Sequence, residues 1–224
     1  MNIIAHIHTD FPQKFGIPRQ SGLVEGLTGA IVFEPEYRSP DAVKGLEDYD
    51  YLWLLWKFQV PEKQHWSATV KPPRLGGNTP VGVFATRSPF RPNPIGLSSV
   101  RLERVELTEH RGPVIHVSGV DLRDGTPIYD IKPYLPYVDS HPGARGGFAH
   151  EKKEYRLEVV FPEEWLSMIP ADKREALFGI LSQDPRPSYI DDPERVYGFN
   201  YLDMDVRFRV REGILTVCEI EKLR

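Results

Sequence analysis

A chain of 224 residues with 40% hydrophobic and 11% aromatic residues is not disordered: it can bury a sizeable core as one domain with an appendage or as two small domains. Twenty-one prolines disfavour an all-helical architecture, and the single cysteine, Cys218, excludes an internal disulfide and a cysteine-based zinc site. A formal net charge of −4 is not that of a protein that coats nucleic acid indiscriminately, so any RNA has to be met through a local patch.

The start, MNIIAHIHTD, has neither the basic n-region nor the long apolar core of a signal peptide, and no run of eighteen apolar residues occurs. The expectation is a soluble, cytoplasmic protein with no membrane partner. Asn2 to His8 and Leu27 to Phe33 are β-prone runs. Asp41 reads as the N-cap of a short helix over Ala42 to Glu47. The aromatic word YLWLLWKF (Tyr51 to Phe58) is too short for an isolated helix and predicts a buried central strand. Val81 to Thr86, Ile95 to Leu107 and Val114 to Val120 continue a series of strands divided by Gly/Pro turns, which suggests a barrel or sandwich. In DLRDGTPIYDIKPYLPYVD (Asp121 to Asp139), Asp124-Gly125 marks a tight turn and Pro127 opposes a helix; the plain reading is an edge strand with an Asx-turn.

The texture changes around Asp139 to Glu151, where SHPGARGGFAH reads as a linker. Beyond it, Glu154 to Phe161 predicts a strand. Glu163 to Gln183 carries a helical pattern interrupted at Pro170, with Leu177, Ile180 and Leu181 on one face. Asp205 to Arg211 and Ile214 to Leu223 predict a hairpin about Glu212-Gly213. The fold expected is mainly β: a barrel over residues 1–140 and a small α+β unit over residues 152–224.

The densest chemical signal runs from Lys71 to Arg101, a stretch without one aspartate or glutamate that carries Lys71, Arg74, Arg87, Arg91 and Arg101. Its six prolines and four glycines form a stiff frame able to aim guanidiniums, whose planar forks suit carboxylate or phosphate. The bland alternative is a basic surface loop; the strand-like words GVFAT and IGLSSV inside the stretch count against it. No GxGxxG or GxxxxGK[ST] pattern is present, so a nucleotide-like cofactor needs another architecture. His6 and His8 share a strand face, but no third ligand stands at a diagnostic spacing, and no metal is expected. Ser88, Ser98 and Ser99 lack the surroundings of a catalytic serine.

Together the words KFGIPRQ, DAVKGLEDYDYLWLLWKF, VKPPRLGGNTPVGVFATRSPFRPNPIGLSSV, DLRDGTPIYDIKPYLPYVD and LSQDPRPSY resemble those of the TsaA-like or TrmO family over nearly the whole chain. The resemblance implies an S-adenosyl-L-methionine-dependent methyltransferase built on a non-Rossmann β-barrel, with a C-terminal domain of the bacterial form. Its implied substrate is N6 of N6-threonylcarbamoyladenosine at position 37 in the anticodon loop of threonine tRNA, and a homodimer is implied. By motif, the resemblance places cofactor contacts at Asp10, Phe11 and Pro12, at Phe58 and Gln59, at Arg87 and Leu97, and at Asp124, Gly125, Thr126 and Pro127. Gln59 departs from a frequent family histidine and cannot titrate near neutrality, which weakens any proton-transfer role there.

For the tRNA, Arg91 or Arg19 could read the threonyl carboxylate, with Lys71, Arg74 and Arg186 on phosphates. Asn93 lies in the same block, and Tyr134 or Phe90 could stack on a splayed base. Asp124 or Asp130 could take the N6 proton, but positioning alone could lower the barrier by several kcal/mol, so no base is assigned. Two rival readings are a non-catalytic RNA-binding barrel and a methyltransferase with a small-molecule or protein acceptor.

Overall fold

The computed structural model describes residues 1–59, 66–72, 75, 78–148, 155–186 and 192–223. Its strands are β1 (Ala5–Thr9), β2 (Thr28–Phe33), β3 (Tyr51–Lys57), the two-residue β4 (Thr69–Val70) and β5 (Val81–Gly82), β6 (Ile95–Thr108), β7 (Gly112–Ser118) and β8 (Thr126–Pro133). Six of them close an antiparallel barrel in the order β1-β2-β7-β6-β3-β8, while β4 and β5 pair separately. Closure removes sheet edges, so the DLRDGTPIYDIKP segment is not an edge strand: β8 lies between β1 and β3.

Each barrel strand sends alternate residues inward. Along β3, Leu52, Leu54 and Trp56 are buried while Tyr51 and Lys57 are exposed, so this strand is buried on one face rather than two. Ile7, Ile31, Ile115, Val117 and Ile128 fill the same interior, each contributing roughly 1.5–3 kcal/mol by leaving water. Two expected elements differ. Residues 42–47 form no α-helix: Pro40–Val43 and Leu46–Asp48 are separate 3-10 turns, the first capped by Ser39, whose Oγ accepts from Asp41 N. Gly45, with φ +80, divides them by stepping into the left-handed region. The strand expected over Val81 to Thr86 stops at Gly82, after which Val83–Ala85 turns as a 3-10 segment.

The C-terminal unit contains β9 (Glu158–Val160), β10 (Tyr197–Tyr201), β11 (Met204–Arg211) and β12 (Ile214–Lys222) in the order β10-β11-β12-β9. The β11–β12 hairpin turns at Glu212-Gly213, with φ +49 and +81, the two-residue turn the sequence predicts. Of the expected helical stretch, Glu163–Leu166 and Arg174–Ser182 are α-helical, here α2 and α3, with α1 being Pro136–Asp139. Pro170, lacking an N–H donor, stands in the break. Leu177, Ile180 and Leu181 are buried as the pattern requires. One continuous apolar cluster joins barrel residues to those of the C-terminal sheet and α3. No helix among the described residues is long and apolar enough to cross a membrane.

Candidate functional site

The antiparallel register dictates where the loops go. β1 ends, β2 begins, β3 ends, β6 begins, β7 ends and β8 begins at one mouth of the barrel. The connections 10–27, 58–94 and 119–125 therefore meet there. Contacts between these connections bring together Asp10, Phe11, Pro12, Gln59, Asp124 and Gly125, and tie Arg87 to Gln20. Phe58, Leu97, Thr126 and Pro127 adjoin them at strand ends, and Arg19, Lys71, Arg91 and Asn93 lie on the same connections. Arg74 lies outside the described residues. Tyr134 is not brought there: it follows β8 at the opposite mouth and packs against Tyr51 and Trp53 at ring separations of 6.2 and 5.6 Å.

Two networks organise this mouth. In the first, Asp124 N donates to the carbonyl of Phe11 at 2.8 Å and Gly125 N to that of Ile7 at 2.9 Å. The Asp124 carboxylate accepts from Thr9 N at 3.1 Å and faces His8 Nδ1 at 3.2 Å. Gly125 has φ +73, a conformation that favours glycine, and Thr126 Oγ1 closes the turn on the Arg123 carbonyl at 2.7 Å. Arg123 then clamps across the gap, donating from Nε to the Pro12 carbonyl at 3.1 Å and from Nη1 to Gln59 Oε1 at 3.0 Å. His6, by contrast, faces Glu34 at 2.8 Å, so the two histidines of β1 have different acidic partners.

The second network is enclosed at Trp56, Ser98 and Asp121 and opens to solvent at Arg87. Trp56 Nε1 donates to Ser98 Oγ at 2.9 Å, and Ser98 Oγ donates to Asp121 Oδ1 at 2.6 Å. Burial pushes the Asp121 carboxyl up to about 6, against the opposing effects of the Ser98 hydroxyl, backbone donors and the Arg87 charge. Ser21 Oγ accepts from Ser99 N at 3.1 Å, and Arg87 Nη1 donates to Gln20 Oε1 at 2.5 Å. The Phe58 ring centre lies 4.2 Å from that of Trp56 with the planes tilted by 58°, and Leu97 is 45% exposed.

The arginines differ in how they are held. Arg91 Nη1 donates to the Thr86 and Val83 carbonyls at 2.7 and 3.3 Å, and its guanidinium lies 5.7 Å from the Phe84 ring centre. Arg186 is far from the mouth in sequence and folds back on Asp184, meeting its carboxylate at 2.8 and 3.0 Å with both side chains largely buried. That pairing neutralises the charge expected to meet phosphate. Asp130 pairs with Lys132 at 2.9 Å. Asp10 faces Lys173 of the C-terminal unit at 2.5 Å. Arg123, Gln20, Ser21 and Asp121 are not site candidates from sequence, and Ser98 is weighed only as a catalytic serine; Arg123 stands beside Asp124 inside a motif already singled out, whereas the partners of Asp121 are visible only once the barrel closes.

The chain matches the family models described as the tRNA-methyltransferase O N-terminal domain over residues 6–140 and the TrmO C-terminal domain over residues 154–223. It is 41% identical over 227 residues to the tRNA (adenine(37)-N6)-methyltransferase of Escherichia coli K12, covering 97% of this chain and 96% of that protein. A Pyrococcus abyssi protein named "Probable S-adenosyl-L-methionine-binding protein" is 34% identical over 155 residues, 69% of this chain and 78% of its own. The crystal structure of TrmO from Pseudomonas aeruginosa superimposes with a TM-score of 0.76 at 34% identity, covering 97% of this chain and 96% of that one. The closed barrel, the turn chemistry at its mouth and these matches agree, and the chain belongs to the tRNA-methyltransferase O family.

Proposed function

We propose that this chain transfers a methyl group from S-adenosyl-L-methionine to N6 of N6-threonylcarbamoyladenosine at position 37 of threonine tRNA. The observation that carries the reading is the meeting, at one barrel mouth, of the Asp10–Pro12 turn, Phe58-Gln59 and the Asp124–Pro127 turn with the arginines of the acid-free block. The residues present suit the cofactor's chemistry: an enclosed carboxylate at Asp121 for its cationic groups, a guanidinium at Arg87 for its carboxylate, and Phe58 with the open Leu97 for its apolar surface. When bound, the cofactor would supply an electrophilic methyl carbon: its bond to N6 would form as its bond to sulfur broke, leaving a neutral thioether and releasing the N6 proton to solvent. The protein aligns the two partners and excludes water, effects that can lower the barrier by roughly 7–11 kcal/mol at best.

The acceptor nitrogen is weakly nucleophilic because its lone pair is delocalised into a urea-like group, so alignment matters more than a dedicated base. Arg91 and Arg19 are the candidates for reading the threonyl carboxylate. Lys71 and Arg74 position the tRNA backbone without specifying sequence. We assign the barrel to residues 1–140 and the C-terminal domain to 152–224, and expect a cytoplasmic homodimer that uses no metal. The family membership and the E. coli relative's name support the reading.

Two measurements separate it from its rivals. At a hundredfold excess over Kd, S-adenosyl-L-methionine should stabilise the protein by about 2.7 kcal/mol; a non-catalytic RNA-binding barrel shows no such shift. Nucleoside mass spectrometry of cells lacking the chain should show loss of N6-methyl-threonylcarbamoyladenosine, and its persistence would move the acceptor to a small molecule or protein.

A further inference from the structure

We infer that Lys173, in the C-terminal unit, is a positioning residue of the cofactor site that acts through Asp10. The inference rests on reading the Asp10–Pro12 turn as a wall of that site. Lys173 Nζ meets Asp10 Oδ2 at 2.5 Å, and the side chains are only 20% and 21% exposed. The contact is part of a wider brace. Leu202 N donates to the Asp10 carbonyl at 3.0 Å, and the buried rings of Phe11 and Tyr201 lie 5.7 Å apart. Gly16, with φ +91, passes so close to Phe199 that a Cβ there would stand 2.3 Å from Cδ2. The brace reaches the other wall directly, because the Phe11 carbonyl accepts from Asp124 N.

Helix stability does not account for this lysine. Lys173 is the N-cap of α3 and makes no side-chain capping bond, where Ser, Thr, Asp or Asn is favoured and a cation opposes the helix dipole. Nor is a shielded ion pair an efficient source of stability, since apolar residues of similar volume often serve as well. What the pair does uniquely is fix the carboxylate of Asp10, and with it the backbone of the turn, relative to α3. The C-terminal unit thereby sets the geometry at the barrel mouth.

The test uses the full-length protein, with S-adenosyl-L-methionine titrated calorimetrically and threonine tRNA followed by filter binding. Lys173→Met should weaken the cofactor about tenfold while tRNA affinity stays within about twofold, and Lys173→Arg should recover most of the loss. Asp10→Asn should reproduce the defect, and the double variant should be no worse than either single one, because the two groups act as a unit. Unchanged cofactor affinity in both single variants would overturn the inference while leaving the cofactor reading intact. So would a loss confined to tRNA, or one shared equally by the two ligands. If the wild-type protein itself takes no S-adenosyl-L-methionine, the cofactor reading falls first and the inference with it.

Discussion

Arg123 donates from Nη1 to Oε1 of Gln59 at 3.0 Å, tying the connection after β3 to the one before β8. Because its Nε also holds the Pro12 carbonyl, one exposed side chain spans three loops of the proposed cofactor site. Arg123→Ala should raise the Kd for S-adenosyl-L-methionine about tenfold while lowering stability by less than about 1 kcal/mol, since exposed charged contacts contribute little to folding. Calorimetric titration beside urea unfolding measures both. A stability loss as large as the binding loss would make Arg123 a simple structural clamp.

Gln59 itself offers a pH test. A glutamine carbonyl accepts from Arg123 at any pH, whereas a histidine accepts only when neutral. Gln59→His should bind the cofactor within about threefold of wild type at pH 8 and fall several-fold further behind by about pH 5.5, as the ring protonates beside a guanidinium. A pH-independent ratio between variant and wild type would show that the Arg123 contact is not used in binding.

Gly96 and Trp56 give a packing prediction. A Cβ at Gly96 would lie 2.1 Å from Trp56 Cε2. The indole cannot swing away freely, because Nε1 is bonded to Ser98 and the ring packs at a tilt against Phe58. Gly96→Ala should therefore destabilise by about 1–3 kcal/mol or more, read as a lower urea midpoint with unchanged slope.

These contacts show what the sequence could and could not disclose. The alternation of Leu52, Leu54 and Trp56 and the punctuation at Glu212-Gly213 are local patterns, and local patterns predicted the strands and the hairpin. The 3-10 turns at Pro40–Val43 and Leu46–Asp48 were missed because the capping signal was assigned to Asp41, while Ser39 serves and Gly45 breaks the run. Charge counting marks Lys71 to Arg101 as unusual and its Pro/Gly content suggests a frame that aims guanidiniums, but neither names the groups that hold them. Arg87 and Arg91 commit donors to Gln20 and to loop carbonyls. The clamp Arg123 sits between acids, where a search for basic runs looks past it. Asp10 and Lys173 are 163 positions apart, a separation no motif spans.

Arg91 holds its own loop, so its removal should act in two ways. Arg91→Ala frees the Thr86 and Val83 carbonyls and the face of Phe84, and it also removes the proposed reader of the threonyl carboxylate. Methylation of threonylcarbamoylated tRNA should fall by about a hundredfold or more, the size expected for losing a charge-assisted bond to a buried ion. S-adenosyl-L-methionine affinity should fall by no more than about threefold. Arg91→Lys should not rescue, because an ammonium cannot bond the loop carbonyls and still present a planar fork. Equal losses in both assays would argue that Arg91 orders the loop without reading the substrate.

Asp121 predicts how stability should vary with pH. Its carboxyl is raised to about 6 by burial in the native protein, and in the unfolded chain it returns to the ordinary aspartate value near 4. Between these values the native state holds a proton that the unfolded state has released, so this group's contribution falls as pH rises through the window. It is most favourable below about pH 4 and fully lost above about pH 6, a difference of no more than about 3 kcal/mol. Asp121→Asn keeps an acceptor for Ser98 but cannot ionise. The variant should therefore gain on wild type by a few kcal/mol between pH 4 and pH 7, with a flat difference above that. The same variant should bind S-adenosyl-L-methionine more weakly at pH 7.5, because the counter-charge proposed for its cationic groups is gone. A stability difference that does not change with pH would mean that Asp121 ionises normally in its pocket.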